Sequence, residues 1–124
     1  MRHSNPLSRI YKATRYSLSG LYCAFKQEQA FEFETVVLTA LIAVAFWAEL
    51  PLLIFVLLIG SWLVVMAFEL VNSAVERVFN LIDTKYNPDI KAGKDMLSAA
   101  VFLMILFNMA LWLALLLQYS SSVR

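Results

Sequence analysis

Charge is scarce in this chain: Asp, Glu, Lys and Arg make up 15% of its 124 residues, against 61% hydrophobic residues. Soluble domains carry about a quarter charged residues, so a water-soluble globular fold is excluded in favour of a membrane chain. A formal net charge of +1 gives no argument for a nucleic-acid partner. One cysteine, Cys23, excludes an intramolecular disulfide and reads as a small hydrophobe. The single histidine, His3, lies in the polar N-terminus and takes no role. Gly20, Gly60 and Gly93 stand far apart, so neither a Walker-type loop nor a protein-kinase glycine loop can form. Residues 1–30 hold no apolar core with a small-residue cleavage site, so no cleavable signal peptide is expected.

What the chain does have is three long apolar runs behind an amphipathic start. Leu7, Ile10, Tyr11, Leu18, Leu21, Tyr22 and Phe25 follow the helical i, i+3, i+4 rhythm, with Arg9, Lys12, Arg15, Ser19 and Lys26 on the remaining surface. That pattern predicts a helix lying in the membrane interface over about 5–30. Residues 35–50 run almost without polar groups and would span ~24 Å as a helix. Extending the helix back through Phe31 and Phe33 reaches the ~30 Å of a hydrocarbon core. Spans are expected over 31–50, 52–82 and 90–118, all within one membrane domain of residues 1–124, all-α. Glu49-Leu50-Pro51 marks a tight turn, and Gly60-Ser61 is a small pair that would allow close helix packing. Asn87-Pro88 signals a turn, and Asp89 is placed to cap the third span. Asn108 is the one strongly polar residue deep in that span, and an interhelical hydrogen bond is its ordinary explanation.

Basic residues set the topology. Arg2, Arg9, Lys12, Arg15 and Lys26 precede the first span, and Arg77, Lys85, Lys91 and Lys94 lie between the second and third. The turn near residue 50 has none, and only Arg124 follows the third span. The positive-inside rule then puts the N-terminal helix and the 77–95 region in the cytoplasm. Glu28, Glu34, Glu69, Asn72, Glu76, Lys94 and Asp95 are expected to meet at that interface. Glu69, Asn72 and Glu76 are spaced for one helix stripe, and a carboxylate at the end of an apolar run is costly unless paired or bound to a cation. Glu28 and Glu32 share a helix face and read equally well as a solvated collar. Hard carboxylates suit Mg²⁺ shared with substrate phosphates. Lys94 could neutralise a γ-phosphate, and Glu69 could take a proton from a hydroxyl held at the interface. Composition and spacing end at an acidic, metal-capable interfacial site.

The motif Glu69-Leu-Val-Asn72-Ser-Ala-Val-Glu76, followed by Lys94-Asp95-Met-Leu-Ser98-Ala-Ala-Val, resembles that of the prokaryotic diacylglycerol kinases. Arg9, Tyr16-Ser17, Gly20-Leu21, Glu28, Ala30-Phe31, Glu34, Trp47 and Trp112 match in order, so the resemblance runs from Arg9 through the third span. It implies a small lipid kinase of the bacterial inner (cytoplasmic) membrane: a surface helix plus three spans, assembled as a homotrimer with sites shared between subunits. It further implies Glu69 as general base and Glu28 and Glu76 as Mg²⁺ ligands. Asn72 and Lys94 would act on the γ-phosphate of ATP, with Asp95 and Glu34 in support. Arg9, Tyr16, Lys85, Tyr86 and Asn87 would contact the nucleotide. Diacylglycerol would lie near Phe31, Glu34, Trp47, Glu69, Ser98 and Trp112. Glu32 stands where members of the family carry a basic residue, a departure that touches no catalytic group.

Two other readings remain open on the sequence. A polyprenol such as undecaprenol also offers a primary hydroxyl at the interface, and a sister group shares these acidic motifs. A non-enzymatic membrane protein, such as a small transporter, would instead use Glu69 and Asn72 as bundle contacts or an ion path. A transporter needs charge near the midplane, whereas here only Asn108 is deep.

Overall fold

The computed structural model describes residues 5–122. Arg2, His3 and Arg124 lie outside them. Among the described residues there are four helices and no strand: α1 (Pro6–Gln27), α2 (Gln29–Trp47), α3 (Leu52–Ile82) and α4 (Pro88–Ser122).

Each boundary has a local cause. Asn5 Oδ1 accepts from the Leu7 amide at 3.2 Å, and Pro6 opens α1, where its missing N–H costs nothing. Glu28, at φ −112° and ψ 106°, ends α1 and starts α2. The helix expected to run to about 30 therefore breaks two residues earlier. At the far end of α2, Glu49 takes φ 49°. Its amide donates to the Phe46 carbonyl at 3.1 Å and the Leu50 amide to the Ala45 carbonyl at 3.2 Å. This is a Schellman closure with glutamate where glycine is usual. It ends the helix at Trp47, short of the expected 50, and Pro51 leads into α3.

Asn87, not Asp89, caps α4. Its Oδ1 accepts from the Asp89 amide at 2.9 Å and the Ile90 amide at 3.3 Å. Pro88 occupies the first helical position, which pushes the cap one residue ahead of it and places Asp89 inside the first turn.

α2, α3 and α4 are long and apolar enough to cross a membrane, at 19, 31 and 35 residues. They pack antiparallel in chain order, so the start of α2, the end of α3 and the start of α4 share one end of the bundle. From Leu52 to Glu69 the helix climbs ~26 Å, so Glu69 stands about one hydrocarbon thickness from the opposite turn. The remaining turns of α3 extend beyond it.

The core lies just beneath that end. Ala24 of α1, Phe31 of α2 and Trp62, Val65 and Met66 of α3 form it, with Met104 and Ile105 of α4 against it. Most other large apolar side chains of the spans are exposed in the single chain, Trp47 at 86% among them. The deep polar residue is resolved as expected: Asn108 Nδ2 donates to Ser61 Oγ at 2.6 Å, and Ser61 Oγ donates to the Leu58 carbonyl at 2.8 Å. Ser61 thus joins α3 to α4. Gly60 does not, because a Cβ there would meet nothing within 4 Å.

Candidate functional site

The site grows from the polar end of α3. Glu69 and Ser73 are buried one turn apart, with Asn72 and Glu76 half-buried beside them. Glu34 of α2 is buried too, at 6% exposure. The indole N–H of Trp62 donates to the Glu34 backbone carbonyl at 3.0 Å, which fixes α2 against α3 at this level. Glu69 lies within electrostatic reach of Glu34, Glu28 and Glu76. Four carboxylates, from two helices and the elbow before α2, thus lie at one end of the bundle within electrostatic reach of one another through Glu69.

This cluster is rich in acceptors and short of donors. Glu34 Oε2 and Asn72 Oδ1 are buried and meet no hydrogen-bond partner among the described residues. Buried acceptors of this kind are costly unless something else supplies a donor.

Glu28 has a partner that the sequence reading did not name. Arg77 Nε and Nη2 both donate to Glu28 Oε1, at 3.1 and 2.6 Å, and Nη2 also donates to Gln27 Oε1 at 3.0 Å. Arg77 is the only basic residue of α3. That isolation, next to Glu76, was the available signal. Trp62, also missed, sits in the middle of an apolar run with nothing but its ring nitrogen to mark it.

Lys94 Nζ donates to Asn80 Oδ1 at 2.8 Å, which ties the start of α4 to the end of α3. The approach is close: a Cβ on Gly93 would meet the Phe79 ring at 2.8 Å. Asp95 turns to the exposed face and pairs with Lys91 at 2.6 Å. In the connecting loop, the Asn87 carboxamide oxygen is engaged in the α4 cap, while Lys85 and Tyr86 are exposed.

Other predicted contacts stand apart within one chain. Arg9 and Tyr16 are exposed on α1, ~28 and ~18 Å along the helix from Glu28. Trp47 and Trp112 belong to the opposite half of the bundle. Trp112 Nε1 is buried without a partner among the described residues. Phe31, expected along a lipid path, is 4% exposed and packed in the core. Ser98 is exposed on α4.

A groove of about 520 Å³ runs between α1 and α3, lined by residues that include Ser17, Gly20, Cys23, Glu28, Ser73 and Arg77. Its floor is mostly aliphatic, and its charged groups are the Glu28–Arg77 pair. Among the described residues no three His, Cys, Asp or Glu side chains gather into a metal site. Two carboxylates, Glu28 and Glu76, still fit magnesium, which takes one or two protein carboxylates and completes its shell with phosphates and water. Glu28 Oε2 takes no hydrogen bond among the described residues, so Arg77 leaves that oxygen open.

Comparison with known proteins agrees in kind. A sequence model of the family described as prokaryotic diacylglycerol kinase matches residues 15–116. The chain is 38% identical to the diacylglycerol kinase of Escherichia coli K12 over 109 residues, covering 88% of this chain and 89% of that one. It is 38% identical to that of Haemophilus influenzae over 112 residues, covering 90% and 95%. The Helicobacter pylori 26695 protein is 33% identical over 104 residues, covering 84% and 81%.

Proposed function

The chain belongs to the prokaryotic diacylglycerol kinase family, and on that premise we propose that it transfers the γ-phosphoryl group of ATP to the primary hydroxyl of diacylglycerol at the cytoplasmic membrane interface. The products are phosphatidic acid and ADP. The observation that carries the reading is the buried, donor-poor group of Glu34, Glu69 and Asn72 at the end of an apolar bundle. A lipid hydroxyl reaching that depth supplies the missing donor.

Glu69 is the base. Its carboxylate takes the hydroxyl proton as the lipid oxygen bonds to the γ-phosphorus and the bond to the β–γ bridging oxygen breaks. Glu34 and Asn72 orient the hydroxyl from either side. Lys94, held at the helix junction by Asn80, offers a compact positive charge to the γ-phosphate. Asp95 supports that turn of α4. Magnesium held by Glu28 and Glu76 would neutralise phosphate charge and order the polyphosphate for in-line transfer.

Arg9, Tyr16, Lys85, Tyr86 and Asn87 contact the nucleotide, with Arg9 and Tyr16 supplied by a neighbouring copy of the chain. Their distance from Glu28 along α1 supports sites shared between copies of the chain, which the family resemblance implies are three. The lipid's acyl chains lie against the spans near Ser98, which is exposed on α4, whereas Phe31 is packed in the core and Trp47 and Trp112 lie towards the opposite end. The basic residues of α1 and of the loop before α4 support a cytoplasmic N-terminus and active site in the bacterial inner membrane.

Glu69→Gln in mixed micelles tests the assignment. Transfer should fall about 10²–10⁴-fold with the oligomer intact, the usual contribution of a positioned base. Activity near the parent level would remove Glu69 from that role.

A further inference from the structure

We propose that Arg77 makes the site select the metal–nucleotide complex over the bare divalent cation. The proposal rests on the reading of Glu28 as a ligand of the magnesium ion that accompanies ATP.

The geometry of the pair is unusual in what it leaves open. Both Arg77 donors fall on one oxygen, Glu28 Oε1, and the second Nη2 bond goes to Gln27 Oε1. Glu28 Oε2 and Arg77 Nη1 take no hydrogen bond among the described residues, and the other group beside the guanidinium is the Cys23 thiol, which offers no charge to compete with a phosphate. A free carboxylate oxygen and a free guanidinium nitrogen therefore sit on the two members of one ion pair. That arrangement is complementary to a cation already joined to an anion, which is what a divalent metal on a polyphosphate is.

Stability does not account for the pair. The two side chains are 49% and 26% exposed, and exposed ion pairs contribute little. Position accounts for it better. Arg77 touches one proposed metal carboxylate and follows the other, Glu76, in the chain. A bare divalent cation approaching Glu28 and Glu76 meets the guanidinium as a like charge. The metal–nucleotide complex is net negative and brings phosphoryl oxygens that Nη1 can meet. One residue thus opposes the first ligand and favours the second. The groove that holds the pair is open between α1 and α3, so a polyphosphate can reach it.

The test measures binding without turnover, in micelles, on the full chain. The probes are Mn²⁺ alone and Mn²⁺ with a non-hydrolysable imido analogue of ATP, both read by electron paramagnetic resonance. Arg77→Gln should bind Mn²⁺ alone roughly fivefold more tightly as a like charge is removed. It should bind the metal–analogue complex about tenfold more weakly as a charge-assisted hydrogen bond is lost. Arg77→Lys keeps the charge but not the fork, so it should hold the parent's affinity for Mn²⁺ alone and lose part of its affinity for the complex. Both affinities moving together in Arg77→Gln, or neither moving, would overturn the proposal, since a structural role weakens both. Glu28→Gln separates the two levels of the argument: unchanged Mn²⁺ binding there would remove the metal reading itself, and the proposal with it.

Discussion

The indole N–H of Trp62 donates to the backbone carbonyl of Glu34 at 3.0 Å, with both residues buried. One bond between a side chain of α3 and the backbone of α2 thereby sets the height at which Glu34 faces Glu69. In a bilayer, helix association draws on van der Waals packing and such bonds rather than on the hydrophobic effect.

Trp62→Phe keeps most of the ring and removes the donor. Stability in micelles should fall by about 1 kcal/mol, the usual net value of one buried hydrogen bond, and phosphoryl transfer should fall with it as Glu34 gains freedom. Reversible denaturation alongside the transfer assay checks both, and an unchanged pair of values would make the bond incidental.

Asn108 and Ser61 are bonded at 2.6 Å across α3 and α4. A double-mutant cycle of Asn108→Leu with Ser61→Ala should return a coupling of about 0.6 kcal/mol, the average of interhelical polar pairs in membranes, and no more than about 1.7 kcal/mol. Transfer activity should survive in both single variants, because the pair lies far below the acidic end. Zero coupling would show that the two side chains do not depend on each other.

Gly93→Ala places a methyl group 2.8 Å from the Phe79 ring. Overpacking there should cost about 1–3 kcal/mol, and the start of α4 should shift away from α3, so that Lys94 loses Asn80. The expected kinetic signature is a raised KM for ATP. Phe79→Leu in the same chain should recover most of the loss; a double variant no better than Gly93→Ala would locate the damage elsewhere.

Glu49 holds φ 49° in the turn between α2 and α3. Glu49→Gly removes the Cβ penalty of that left-handed conformation and should stabilise the chain by about 0.5–1 kcal/mol with no change in transfer. A destabilised variant would mean that the glutamate side chain contributes more than its backbone strain costs.

Much of the architecture was legible in the sequence because membrane spans announce themselves by length and apolarity. The helix period then aligned Glu69, Asn72 and Glu76 without any tertiary information, and the lone polar Asn108 in an apolar run called for a partner across a helix interface. What the period cannot give is which neighbour a side chain meets. Arg77 follows Glu76 by one residue and, as part of the basic loop count, read as a topology marker rather than a partner of Glu28. Asn87 lost out to Asp89 as the expected cap because Pro88, as the first helical residue, moves the helix start back by two positions. Gly60 and Ser61 read together as a small packing pair, yet only Ser61 carries the contact, since the rotation of α3 decides which of two adjacent residues faces α4. Contacts between copies of the chain leave little trace in one chain's pattern, because lipid-facing and partner-facing surfaces are equally apolar.

The central claim is best tested by offering diacylglycerol and undecaprenol in parallel, in mixed micelles with magnesium and ATP labelled at the γ-phosphate. The account predicts label mainly in phosphatidic acid, lost in Glu69→Gln. Label mainly in the polyprenol phosphate would keep the mechanism and contradict the substrate, and no transfer to either by the intact oligomer would contradict the account as a whole.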